Sequence, residues 1–261
     1  MSARRLALCH VLLGAAACVA AVWSGVFDGV QTELGLESYA ERQVAWMPRG
    51  LTLPGNALVN LGYVALGWHW LRRGEEAAGG RHGRYVSHVF GWMVAGYGLV
   101  QAARIASQRH PAAVLDQWFT LPIFAWVPVW CLFLLQGWRP GLWRAIEAAS
   151  LGSYLLALAV PQGFELALAC HVALAIVVGV GVQWRVGDGV SRRWLLLAIT
   201  SCAGFVGLKL LDAWLGQWQL FHRLSGHFWS KVCDVLQIHF SFLFLTHLTH
   251  QTIKGKGEKQ Q

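Results

Sequence analysis

The sequence is poor in charge. Only 13% of its 261 residues are Asp, Glu, Lys or Arg, whereas 56% are hydrophobic. Soluble globular domains carry about 25% charged residues, so a water-soluble domain is excluded. The chain also lacks short chemical motifs. There is no CxxC pair, no N-x-S/T sequon, no GxSxG elbow, and neither HExxH nor HxxxH. These gaps argue against a dithiol or zinc-ribbon site, a serine-hydrolase elbow and the common zinc helices. All six cysteines lie inside apolar blocks and read as small buried thiols rather than a disulfide framework. Short alternating segments, the mark of a transmembrane β-barrel, are missing too.

What is present is apolar sequence in blocks of about 18–22 residues, the length that crosses a bilayer as a helix. The expected fold class is all-α, a polytopic transmembrane helical bundle. Eight spans are expected, over 6–27, 54–71, 85–107, 114–135, 142–160, 165–184, 194–215 and 227–248. They form one transmembrane domain, 1–248, followed by a disordered tail, 249–261. The first block is long for the apolar region of a signal peptide and is read as a span. The fifth is the weakest, because it opens on the polar run IEAASLGSY and ends at PQG. The longest join, 28–53, holds Glu33, Glu37 and Glu41, and 72–84 (RRGEEAAGGRHGR) reads as a flexible loop.

A net charge of +8 suggests nucleic acid until the basic residues are placed. Of the 21 Lys and Arg, fourteen fall on the side shared by both termini, five on the other, and Lys209 and Lys231 inside spans. By the positive-inside rule both termini are cytosolic. No nucleic-acid partner is expected, and membrane lipids are the expected surroundings.

The same topology gathers the polar intramembrane residues in the lumenal half. Asn56 and Asn60 begin the second span, and Gln101 and Arg104 end the third. Asp116 begins the fourth, Lys209 and Asp212 end the seventh, and His227, Lys231 and Asp234 open the last. Lys209 and Asp212 are three apart, and His227, Lys231 and Asp234 follow at four and three, so each set shares a helical face. Charges inside a membrane cost about 3 kcal/mol each unless paired, which makes them functional candidates. The expectation is a lumen-facing polar pocket formed by Asn60, Gln101, Arg104, Asp116, Lys209, Asp212, His227, Lys231 and Asp234. His171 and His239 read as hydrogen-bonded core histidines, and His10 with the other histidines near the cytosolic side as boundary residues. No metal site is expected. Zinc would need ligands from His227, Asp116, Asp212 and Asp234, and the nearby cations would compete with it.

The runs AAVLDQWFTLPIFAW (Ala112 to Trp126) and GHFWSKVCDVLQIHF (Gly226 to Phe240) resemble the vertebrate transmembrane protein 187 family, along nearly the whole chain. That resemblance implies no activity. More distantly, the last seven spans resemble the superfamily of alkaline ceramidases and progestin and adiponectin receptors. Leu115–Asp116, Asp212 and His227 match positions of its pattern. The resemblance implies a seven-helix core, three zinc-binding histidines and lipid amide or ester substrates. This chain departs from it where Lys231 replaces the second histidine of HxxxH, and where Gln101 and Ile105 stand for a serine and a histidine. The functional expectation is therefore non-catalytic: lipid-ligand binding, or a receptor-like or scaffolding role, in secretory-pathway membranes, with the Golgi favoured. Two alternatives stay open. One is a lipid hydrolase with Asp116 or Asp234 as base and His227 as acid. The other is a small-solute transporter, which needs polar lining through to the cytosolic mouth.

Overall fold

The computed structural model describes residues 1–32, 41–48, 51–74 and 79–258, with the backbone alone for 254–258. Glu33, Glu37, Arg49 and the centre of the 72–84 segment lie outside them. The helices are α1 (Ala3–Trp23), α2 (Pro54–Arg73), α3 (Gly80–Ser107), α4 (His110–Gln136), α5 (Pro140–Ser153), α6 (Leu156–Ala159), α7 (Gly163–Val186), α8 (Gly189–Leu210), α9 (Asp212–Leu215) and α10 (Gly226–Glu258). Several starts are written locally. Proline occupies the first turn of α2, α4 and α5, where its missing N–H costs nothing. Pro122 and Pro128 lie inside α4 without ending it, as neighbouring helices permit in a membrane bundle.

Among the described residues, five segments are long and apolar enough to cross a membrane: α1, α4, α7, α8 and Gly226–Ile253 of α10. The chain is thus a polytopic all-α membrane protein. α2 and α3 have the length, at 20 and 28 residues, but not the apolarity. Their polar side chains are turned inward: Asn56, Asn60, Ser87, His88 and Gln101 are all buried. α4 forms the centre, with 67% of its apolar window buried, against 17% for the rim helices α1 and α7. α3 lies between α2 and α4 with α1 against it, and α10 lies between α8 and α2.

Several expected boundaries move. The weak fifth span is broken at Tyr154 into α5 and the four-residue α6. The seventh ends at Leu210, so Lys209 and Asp212 fall on either side of a helix end. The described ends of the segment from Arg72 to Arg84 are helical, since α2 continues to Arg73 and α3 starts at Gly80. The last helix continues to Glu258, so the tail expected to be disordered from 249 is helical through that residue.

α2 and α3 approach closely over glycine. A Cβ on Gly67 would sit 2.6 Å from the Ala95 nitrogen and 2.7 Å from the Gly91 oxygen, and one on Gly98 would sit 2.8 Å from the Asn60 oxygen. Small residues let membrane helices meet backbone to backbone. The described ends of the chain share one end of the bundle. Arg81 donates to the Met1 carbonyl there (3.4 Å), and Thr249 lies beside Gly79.

That end is closed by Asp188, which caps α8. Its Oδ1 accepts the backbone N–H groups of Val190 (3.0 Å) and Ser191 (2.7 Å). Its Oδ2 lies 3.0 Å from His247 Nε2 and accepts from the Gln251 side chain. The Ser191 amide first, then His247, hold the Asp188 carboxyl well below the usual carboxylate range. A depressed carboxyl contributes stability above its unfolded pKa and loses it as pH falls. Asp188→Asn should lower the melting temperature at neutral pH, with the difference from wild type closing only as pH falls below the ordinary carboxylate range toward the depressed folded value. Thermal unfolding in detergent at a series of pH values measures this.

Gly67→Ala should destabilise by about 1–3 kcal/mol through overpacking. Gly96→Ala, where a Cβ meets nothing within 4 Å, serves as the control and should leave the melting temperature unchanged.

Candidate functional site: a buried charge cluster

Four helices each turn a polar stripe toward one region of the bundle, away from the end that holds the termini. The stripes are Asn56, Asn60 and Tyr63 on α2; Tyr97, Gln101 and Arg104 on α3; Asp116 and Thr120 on α4; and His227, Lys231 and Asp234 on α10. Tyr63 and Asp234 lie nine and eight residues into their helices, about 12–14 Å along the axis. That is close to half the roughly 30 Å hydrocarbon thickness.

The charges are answered within the bundle. Arg104 Nη1 donates to Asp116 Oδ2 at 2.5 Å. Lys231, 5% exposed, donates to Asn60 Oδ1 at 3.2 Å. It also sits in the opposing fields of Asp116 and Asp234 on one hand and Arg104 and Lys209 on the other. Asp234, 3% exposed, accepts from the Tyr63 hydroxyl at 2.6 Å. Tyr63 meets Tyr97 edge-on at 5.2 Å between ring centres. Thr120 Oγ1 lies 3.2 Å from the Tyr97 hydroxyl and 3.0 Å from the Asp116 carbonyl oxygen. The two carboxylate residues are thereby linked through Thr120, Tyr97 and Tyr63.

The cluster keeps spare hydrogen-bonding capacity. Asp116 Oδ1, Asn56 Oδ1 and Asn60 Nδ2 are buried with no hydrogen-bond partner among the described residues. These are two acceptors and one donor. Each orphaned group costs about 1–3 kcal/mol.

Other expected members sit elsewhere. Lys209 is exposed on the last turn of α8 and forms no salt bridge among the described residues, although its charge reaches His227, Lys231 and Asp234. Asp212 is buried and accepts the His227 backbone N–H at 2.8 Å, capping the start of α10. Helix-end geometry uses that carboxylate where the sequence suggested a pair with Lys209. Gln101 is buried beside Tyr97. Among the described residues no group of three or more His, Cys, Asp or Glu is placed to hold a metal ion.

The family profile described as "TMEM187 protein family" matches residues 7–246. The chain belongs to that family. It is similar to transmembrane protein 187 of Bos taurus, at 53% identity over 246 residues, which covers 93% of this chain and 96% of that one. It is also similar to transmembrane protein 187 of Homo sapiens, at 50% identity over 254 residues, 97% of each chain. No solved structure matches the chain.

Sequence reasoning missed Tyr63, Tyr97, Thr120 and Glu41. For the first three a signal existed. Asn56–Asn60–Tyr63 and Tyr97–Gln101–Arg104 each repeat the four-then-three spacing of His227–Lys231–Asp234, and Asp116–Thr120 follows the four-residue step. Glu41 had no local signal. From the join before α2 it accepts the backbone N–H groups of Gly55 (2.7 Å) and Asn56 (3.1 Å) and the Asn56 side chain (2.6 Å). It caps a helix whose own N-cap, Leu53, supplies no side-chain hydrogen bond. His10 was read as a boundary residue. Instead it bridges α1 to α3 and α5, with Nδ1 2.5 Å from the Tyr85 hydroxyl and Nε2 2.5 Å from Glu147 Oε1. His171 does bond in the interior, to the Ala167 carbonyl (2.7 Å) and Ser150 (2.9 Å).

Two substitutions test the cluster. Tyr63→Phe removes the donor to a buried carboxylate and should cost about 1–3 kcal/mol. Glu41→Ala uncovers the first turn of α2 and should cost about 1–2 kcal/mol. Both are read as a lowered midpoint of thermal unfolding in detergent.

Proposed function

We propose that the chain binds a membrane-derived ligand at this cluster without transforming it, as a receptor-like or scaffolding protein. The observation that carries the reading is the set of spare polar atoms, Asp116 Oδ1, Asn56 Oδ1 and Asn60 Nδ2, beside charges that are already hydrogen-bonded within the bundle. Such a region suits hydrogen bonding to a ligand better than acid–base work, because its carboxylates are held by Arg104 and Tyr63. In this reading the chain crosses the bilayer eight times, with α2, α3 and the broken α5–α6 completing the five apolar spans. Both termini face the cytosol and the cluster faces the lumen of the secretory pathway, the Golgi foremost. The excess of basic residues on the side of the termini supports this sidedness.

Hydrolysis of a lipid amide or ester is the second reading, favoured by the one open oxygen of Asp116. It departs from the superfamily it resembles at Ile105 and Lys231, where zinc-binding histidines would stand. Native mass spectrometry of the full chain released from nanodiscs separates the two. Binding predicts a co-purifying small molecule whose occupancy falls about tenfold or more in Lys231→Met, the loss expected for a charged hydrogen bond. The same wild-type protein should leave a panel of lipid esters and amides intact. Turnover by wild type that Asp116→Asn abolishes would establish the hydrolase and overturn the binding reading.

A further inference from the structure

At the end of the bundle that holds the termini, two arginines from different helices share one indole. Arg4, in the first turn of α1, places its guanidinium carbon 5.4 Å from the centre of the Trp68 ring, and Arg72, in the last turn of α2, places its own 5.0 Å from it. Arg4 also lies 5.9 Å from the Trp92 ring on α3. Neither arginine forms a salt bridge among the described residues. α1 and α2 each pack against α3 and have little contact with each other. A groove therefore runs between them, with α3 as its floor. α3 meets α2 through Gly91, Ala95 and Gly98, and its Met93 and Gly96 line a cavity together with α1. With a helical rotation of about 100° per residue, Trp92, Leu99 and Ala103 fall between those two faces. Leu99 and Ala103 are exposed. The α2 wall presents exposed Leu58, Leu61, Ala65 and Trp68, a stripe at three- and four-residue spacing that ends on Arg72.

We infer that this groove seats a phospholipid of net negative head charge, its phosphate taken by Arg4 and Arg72 and an acyl chain lying along Leu61, Ala65 and Leu99. Three observations select that occupant. The head site is built from guanidinium groups, whose planar fork of donors fits phosphate oxygens in pairs. The charge around it is positive, since 1–5 and 72–84 hold Arg4, Arg5, Arg72, Arg73, Arg81 and Arg84 against Glu75 and Glu76. A choline head would add another cation, whereas a head of net negative charge answers the surplus. The depth agrees as well. Leu58 to Trp68 covers about 15 Å along the helix axis, half of the roughly 30 Å hydrocarbon layer and so the depth of one leaflet's chains. The apolar span of α1 begins at Ala3, which sets Arg4 at the level of the headgroups. The groove is open to the bilayer, so the chain needs no enclosed volume. This site lies at the opposite end from the charge cluster and does not rest on the function proposed for it.

The test titrates the full chain in detergent with phosphatidic acid or with phosphatidylcholine of identical acyl chains, and counts bound lipid by native mass spectrometry. A single phosphatidic acid should bind about tenfold or more tightly than phosphatidylcholine, and excess inorganic phosphate should not displace it. This comparison is read on the wild-type protein and does not depend on any variant folding. Arg4→Gln and Arg72→Gln should each weaken phosphatidic acid about tenfold or more, the loss expected for a charged hydrogen bond. Arg185→Gln, which removes the same charge from the last turn of α7 at that end of the bundle, should leave the affinity unchanged. Lys231→Met, in the charge cluster, should leave it unchanged too. Equal affinity for the two lipids, or displacement by inorganic phosphate, would overturn the inference. So would a loss in Arg185→Gln as large as in Arg4→Gln and Arg72→Gln, or loss of the bound lipid in folded Lys231→Met, which would move it to the cluster.

Discussion

A lysine ammonium buried in the second turn of the last helix sets the terms for the rest of the bundle. In a low-dielectric interior an unanswered charge costs several kcal/mol, and Lys231 is buried. Its neighbours meet that demand from three other helices: the Asn60 amide from α2, Asp116 from α4 through its field, and Arg104 from α3 holding Asp116 in place. Asp234, one turn along, needs the same treatment and receives the Tyr63 hydroxyl. The cluster is therefore a mutual arrangement, in which no charge is satisfied by its own helix alone.

Such an arrangement needs helices that come close. The contact of α2 with α3 over Gly67 and Gly98 brings the Asn60 carbonyl almost against the α3 backbone. This narrow spacing is what lets Tyr63 and Tyr97 meet ring to ring and connect the two carboxylate residues. One turn beyond Asp234 on α10, a cavity remains beside Gln237. The polar stripe of the last helix thus meets two environments, the charge cluster at Lys231 and Asp234 and an apolar-walled cavity at Gln237.

The membrane class and the location of the charged residues were legible in the sequence, because both follow from hydropathy and helical spacing. His227, Lys231 and Asp234 are read onto one face from their intervals alone. The uncharged members were less visible, since a tyrosine or threonine inside an apolar block carries no hydropathy signal of its own. Tyr63 and Tyr97 become conspicuous only once their spacing from Asn60 and Gln101 is considered. Helix ends were the least legible. The break after Leu210 exposes Lys209 and turns Asp212 into a cap for α10, a role set by a tertiary contact with His227. Glu41 caps α2 across an intervening segment, and no local pattern announces a capping residue that far away.

The two contacts at the heart of the cluster, Asn60 with Lys231 and Tyr63 with Asp234, each join residues 171 positions apart. The segment that caps α2 likewise ends on the last part of the chain, where the Arg42 amide meets the His222 carbonyl at 2.9 Å. Synthesis proceeds from the N-terminus, so α2 is made with Asn60 and Tyr63 facing partners that do not yet exist. They stay so until almost the whole chain has been made. Assembly of this protein thus has a waiting period built into its order of manufacture, during which buried asparagine and tyrosine side chains are held without the helix that completes them.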